Sequence, residues 1–236
     1  MIGLILAGGN GMRFSEEGCC KPLLKINGIY LMEYSLQNLA ALGVSEALIV
    51  VGRYGPEIRE AFGNEYRGIS LRYIVQPSPL GLMNALFVAA GVLKDETVVL
   101  QLSDEIYLSP YFQSIREMAD ADFLCGYTVP EDPEQIKENY ALLCDGQTIL
   151  HAEEKPAQAI GEKKGVGFCV FRRECFTVLK QTYGGGSETA NLCDFINLLL
   201  NHGKRGVAAE IAKEEININN RQKYLYAKNR LESEYE

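Results

Sequence analysis

Tryptophan is absent from this chain of 236 residues, histidine occurs twice, and no apolar run approaches the roughly 20 residues that a membrane-spanning helix needs. The N-terminus carries no basic stretch and its apolar run soon meets glycines, so no signal peptide is expected. Positive charge is the scarcer sign. With 23 Lys and Arg against 31 Asp and Glu, the formal net charge of −8 disfavours a nucleic-acid backbone as a partner. A free nucleotide remains open, because a few local cations and a metal ion can hold one. The seven cysteines are an odd number with no C-x-x-C pair. They are expected as reduced, mostly buried thiols in a cytoplasmic protein, not as a disulfide framework or a zinc site. No Ser-His-Asp or Cys-His arrangement stands out, and His151 and His202 are expected to be structural or exposed. Repeats, linkers and low-complexity stretches are also missing. A single domain over residues 1–236 is expected, and a homo-oligomer is compatible with it.

What is there begins with residues 1–22. The apolar run 1–6 (MIGLIL) stops at Ala7-Gly8-Gly9-Asn10-Gly11, followed by Met12-Arg13-Phe14 and then Lys21-Pro22. A run of this length ending at glycines predicts a buried parallel strand rather than a helix. Gly8, Gly9 and Gly11 have no Cβ, so the loop can adopt positive φ and let a ligand lie against the backbone. Backbone N–H groups turned toward one point make an anion-binding concavity. Arg13 and Lys21 place two cations beside it, suited to phosphate oxygens.

The following rhythm is strand and helix in alternation. An extended segment 23–26 ends at Asn27-Gly28, and residues 30–42 carry helical spacing with Gly43 as a stop. Strands are predicted at 47–51, 71–75 (nearer a sheet edge) and 97–102, with helices at 56–62 and 80–93. This order predicts an α/β fold with a doubly wound, mostly parallel sheet that binds ligands at the carboxyl ends of its strands. From about residue 122 strands dominate, at 123–129, 140–144, 148–153 and 166–171. They read as an inserted mixed-sheet region, so that the chain divides into halves over 1–121 and 122–236. Helices return at 173–180 and 192–201, a last strand is expected near 214–219, and a polar helix closes the chain.

Three further strings carry chemistry. In Gln76-Pro77-Ser78-Pro79-Leu80-Gly81-Leu82 a strand delivers an amide, prolines stiffen the turn, and Gly81 opens a helix. A Gln amide suits the Watson–Crick edge of a pyrimidine, though a solvated Gln in a proline-rich turn reads equally from the residues. Asp104 follows a strand at the ligand-binding edge. It can serve a Mg²⁺ site, which takes one or two protein ligands and completes itself with phosphate and water. Glu105 is expected at the surface or just behind it. In Glu153-Glu154-Lys155-Pro156 a carboxylate can hold sugar hydroxyls and an ammonium a sugar phosphate; a solvated salt pair is the alternative.

LAGGNGMRF with downstream KPLLKI resembles the signature of the sugar-1-phosphate nucleotidylyltransferases, with Met12 where Thr or Ser is common. The resemblance spans nearly the whole chain. It implies that Leu6, Ala7, Gly8, Gly9, Gly11, Gln76 and Gly81 bind the nucleotide and that Arg13 and Lys21 are catalytic. It also implies that Tyr140, Glu154, Lys155 and Gly167 bind the sugar phosphate, and that Asp104 binds Mg²⁺. The segment 216–221 (ININNR) resembles the family's V-N-N-R string and makes Asn219 the second metal ligand, with Asn217 as alternative. The implied reaction joins an NTP, dTTP or UTP favoured, to a sugar 1-phosphate. The rivals are a cytidylyltransferase acting on phosphocholine or another alcohol phosphate, disfavoured by the lack of Trp for a choline pocket, and a non-catalytic nucleotide-sugar-binding subunit.

Overall fold

A computed structural model describes residues 1–9, 11, 19–118, 120–184 and 190–232. The first half runs β1 (Ile2–Ala7), a 3-10 turn at Lys21–Leu23, β2 (Lys25–Ile26), β3 (Ile29–Tyr30), α1 (Leu31–Ala41), β4 (Glu46–Val51), α2 (Gly55–Phe62), β5 (Glu65–Tyr66), β6 (Ile69–Val75), α3 (Gly81–Ala90) and β7 (Val98–Leu102). β1 pairs in parallel with both β4 and β7, and β4 with β6. Apolar residues stand on both sides of these strands because both faces are covered. Leu4, Leu48 and Val50 join the core under α3, whereas Ile5, Ile49 and Val51 join the core under α1 and α2. Gly3 lets α1 come close: a Cβ there would lie 2.5 Å from Leu39 Cδ1.

The second half adds β8 (Glu105–Leu108), β9 (Phe123–Thr128), β10 (Tyr140–Asp145), β11 (Thr148–Glu154), β12 (Lys164–Phe171), α4 (Arg173–Thr182), α5 (Leu192–Asn201), β13 (Gly206–Glu210), β14 (Glu214–Asn217) and α6 (Arg221–Glu232). Among the described residues the main sheet has ten strands in the order β10-β11-β13-β9-β12-β7-β1-β4-β6-β5. β12 joins the halves, antiparallel to both β7 and β9. The expected mostly parallel α/β sheet with a mixed extension is therefore present. α4 and α5 pack on the same face as α3, through Phe176, Leu179, Phe195 and Leu199. α5 is started by a reciprocal cap in which Asn191 Oδ1 accepts from Asp194 N at 3.2 Å and Asp194 returns the bond to Asn191 N at 2.7 Å.

Several elements differ from the sequence reading, among them β5 and β8, which it does not include. β13 was not foreseen; Gly206, Ala208 and Ala209 are too small to signal a strand, yet it lies parallel to β9 inside the sheet. The expected strand 214–219 stops at Asn217 and leaves the main sheet to pair antiparallel with β8, Asn217 opposite Glu105. A small third core of Ile26, Ile106, Ile216, Ile218 and Ala227 covers that ribbon. Among the described residues no helix is long and apolar enough to cross a membrane.

Candidate active site

The carboxyl ends of β1, β6 and β7 lie along one rim of the sheet, and the predicted motifs arrive there together. Gly8, Gly52, Arg53, Gln76, Pro77 and Pro79 line a hollow of about 320 Å³. Gln76 is buried; its N–H donates to Val51 O at 2.8 Å and its side chain turns toward α3. Gly81 opens α3 with φ +81°, a conformation that favours glycine. Leu6 and Ala7 end β1 and Gly9 follows Gly8, while Gly11 has φ +65°; none of these four is among the residues that line the hollow. Arg13 lies outside the described residues.

A second hollow of about 190 Å³ adjoins the second half of the chain. Lys21, Asp104, Tyr140, Glu154, Lys155, Gly167, Asn217 and Asn219 all line it. Sequence positions more than a hundred residues apart thus meet in one cleft. Lys21 Nζ and Asp104 Oδ2 form an ion pair at 2.8 Å, both side chains partly sheltered. The register of β10 on β11 sets Tyr140 directly opposite Glu154. Lys155 Nζ is 3.8 Å from Glu154 Oε1, and the Cys193 thiol donates to Glu154 Oε2 at 3.7 Å. Burial and the Glu154 carboxylate push that thiol up, so it is a weak nucleophile. Lys155 follows β11 at φ +44°, held there by donating its N–H to Asn139 O at 2.8 Å. A non-glycine residue kept in the left-handed region is strained, and such strain concentrates at ligand sites.

Of the two places expected for Glu105, at the surface or just behind it, the structure gives the second. Glu105 is not at the surface. It is buried behind Asp104, where Oε2 accepts from Gly167 N and from Tyr107 OH, each at 2.7 Å. Burial, and then the neighbouring Glu215 carboxylate, hold its carboxyl well above the usual range. The N–H of Gly167 is therefore engaged, and its missing side chain is the more telling feature: a Cβ would stand 2.4 Å from Leu102 Cγ. Tyr140 is buried too, and its hydroxyl donates to Val166 O at 2.9 Å.

Beneath the cleft lies a polar group that the sequence did not announce. Lys164 and Glu215, both buried, pair at 2.8 Å, and Asn139 Nδ2 donates to Glu215 at 3.2 Å. Asn139 also lines the cleft, as do Glu138 and Asn191. Position was the only available signal for Asn139, since it immediately precedes Tyr140. His151 and His202 are exposed and away from the cleft, and all seven cysteines are free thiols.

The nucleotidyl transferase family matches residues 2–215 of this chain. A glucose-1-phosphate thymidylyltransferase of Streptomyces griseus is 28% identical over 210 residues, which cover 86% of this chain and 58% of that protein. The chain thus spans little more than half the length of that curated relative. A protein of the same name from Neisseria gonorrhoeae is 29% identical over 224 residues, covering 88% of this chain and 74% of the relative. Among solved structures, one described as a glucose-1-phosphate thymidylyltransferase from Bacillus anthracis superposes with a TM-score of 0.86 at 19% identity, covering 97% of this chain and 94% of that one. That likeness is one of fold. The family match runs from the first strand of the sheet to β14, and so the chain belongs to the nucleotidyl transferase family.

Proposed function

We propose that this chain transfers a nucleotidyl group from an NTP, dTTP or UTP favoured, to a sugar 1-phosphate, giving an NDP-sugar and pyrophosphate. The observation that carries this reading is one cleft in which Lys21 and Asp104 from the parallel half face Glu154 and Lys155 from the mixed half. The sugar-phosphate oxygen is ionised at neutral pH and attacks the α-phosphorus in line, so no protein base is needed. Lys21 and Arg13 neutralise charge on the triphosphate, Lys155 meets the sugar phosphate, Glu154 accepts from sugar hydroxyls, and Gln76 meets the base. Catalysis is then positioning plus charge neutralisation.

The cleft also fits a divalent cation. Asp104 offers a carboxylate. Asn217 offers a buried carbonyl oxygen that accepts no hydrogen bond among the described residues. One carboxylate and one amide oxygen suit Mg²⁺, with substrate phosphates and water completing the shell. Asn219 lines the cleft as well, but its Oδ1 accepts from Asn220 Nδ2 at 2.9 Å, which makes Asn217 the better partner for Asp104. The cation would add positive charge at the α-phosphate.

A pyrophosphate-release panel tests the reading: dTTP, UTP, CTP, ATP and GTP against several sugar 1-phosphates and phosphocholine. Release that requires both a pyrimidine nucleotide and a sugar 1-phosphate is the expected result. Release only with CTP and phosphocholine would move the chain to the alcohol-phosphate cytidylyltransferases. No release with any pair would leave the non-catalytic reading.

A further inference from the structure

Gln76 has a neighbour that the motif does not include. At the end of β6 its Nε2 donates to the main-chain carbonyl of Gly81 at 3.1 Å and to Asn84 Oδ1 at 2.9 Å. A side-chain amide nitrogen carries two N–H groups, so both donors are engaged inside the protein. Oε1 remains, and among the described residues it receives no hydrogen bond. It points at the glycine loop: a Cβ built on Gly8 would lie 2.8 Å from it. Gly8 and Gln76 line the same hollow.

The amide cannot turn over without conflict. Reversal would set Oε1 against the Gly81 carbonyl, oxygen facing oxygen. Asn84 could answer by turning its own amide, but a main-chain carbonyl has no donor to offer. Asn84 is itself buried on the inner side of α3, which keeps water from replacing it.

We propose that Asn84, together with the Gly81 carbonyl, fixes Gln76 as a hydrogen-bond acceptor toward the nucleotide, which makes Asn84 a positioning residue for choosing uracil or thymine over cytosine. This rests on the nucleotidyl-transfer reading given above. Uracil and thymine present an imino N3–H at the centre of the Watson–Crick edge. Cytosine presents a bare acceptor nitrogen there, and two acceptors repel. To offer its N4 amine instead, cytosine must slide along the edge, away from the register set by the stiff Pro77–Pro79 wall. A buried polar group left facing the wrong partner is what gives such sites their discrimination.

Direct titration calorimetry tests this with UTP, dTTP, CTP and 3-methyl-UTP, whose imino proton is replaced by a methyl group. UTP and dTTP are expected to bind at least about tenfold more tightly than CTP and 3-methyl-UTP. Asn84→Leu is expected to shrink the UTP-to-CTP ratio by about tenfold, and Asn84→Asp, which keeps an acceptor, to restore it. If Asn84→Leu does not fold, the 3-methyl-UTP comparison on the unaltered chain decides alone. Equal affinity for UTP and 3-methyl-UTP, or an unchanged ratio in a folded Asn84→Leu, overturns the proposal. Nucleotides bound without discrimination strike this inference only, whereas no binding of any nucleotide overturns it together with the transfer reading.

Discussion

The two halves of the sheet build their share of the cleft in different ways. In β6-β4-β1-β7 every strand runs in the same direction. Their ends therefore reach one rim, and short contiguous strings at those ends place Gly8, Gln76 and Asp104. Asp104 sits above the core and leans little on it, whereas Gln76 is buried and tied to α3. Beyond β12 the pairings are mixed, β13 lying parallel to β9 and the others antiparallel, and cleft residues come from strand register and from buried polar contacts. Tyr140 faces Glu154 across a ladder, and Glu105, Asn139, Lys164 and Glu215 hold the floor together. A site built on strand ends can lose a side chain and keep its fold. A site built on a buried polar floor loses stability along with it.

Substitutions that affect one half by activity and the other by stability would sharpen this contrast. The largest effect is expected from Asp104→Asn, which should lower turnover by about a thousandfold or more while thermal unfolding is nearly unmoved. Excess EDTA should do the same to the unaltered chain, and Asn219→Ala should cost much less. Full activity in EDTA would contradict the metal assignment. Next comes the floor. Lys164→Met leaves Glu215 buried without its cation and should lower the unfolding free energy by about 3 kcal/mol in a denaturant titration. The double change Lys164→Met with Glu215→Leu should recover most of that loss. If Lys164→Met is silent, the floor is not structural. Lys21→Ala should then reduce turnover by roughly a hundredfold, near 3 kcal/mol of transition-state stabilisation, with the fold retained. Arg13→Ala should match it, on the strength of the motif.

The smallest effect concerns the glycine-loop side. Burial pushes the Cys20 thiol up to about 11. Little thiolate exists below that value, so at pH 8 iodoacetamide should label Cys20 roughly a hundredfold more slowly than free cysteine. Labelling should rise as pH approaches 11. Rapid labelling at pH 8 would contradict the half-buried placement of Cys20.

The same contrast explains what could be read from the sequence. β1, β4 and β7 are continuous apolar runs, and Lys21, Gln76 and Asp104 each follow a recognisable string, so their meeting at one rim was legible. For Glu105 the sequence leaves two places open, at the surface or just behind it, because a charged residue beside a metal-type Asp also reads as solvated. Donors from Gly167 N–H, Tyr107 OH and Asn217 Nδ2 make its burial tolerable. Asn84 and Asn139 were invisible for a related reason: each acts through a partner fixed by tertiary packing, not by spacing. β13 carries too little side chain to announce itself, and its place depends on β9 beside it. Between Asn217 and Asn219 the sequence pattern favours the second, whereas the hydrogen bond from Asn220 and the unpartnered oxygen of Asn217 support our proposal of the first.

The central claim is that the nucleotide and the sugar phosphate are held by different halves and meet at Lys21 and Asp104. Steady-state kinetics of Gln76→Ala and Lys155→Ala, with both substrates varied, tests it most directly. The account predicts a crossed pattern: Gln76→Ala raises KM for the NTP about tenfold and spares the sugar 1-phosphate, while Lys155→Ala does the reverse. Two variants that raise both KM values alike would contradict it.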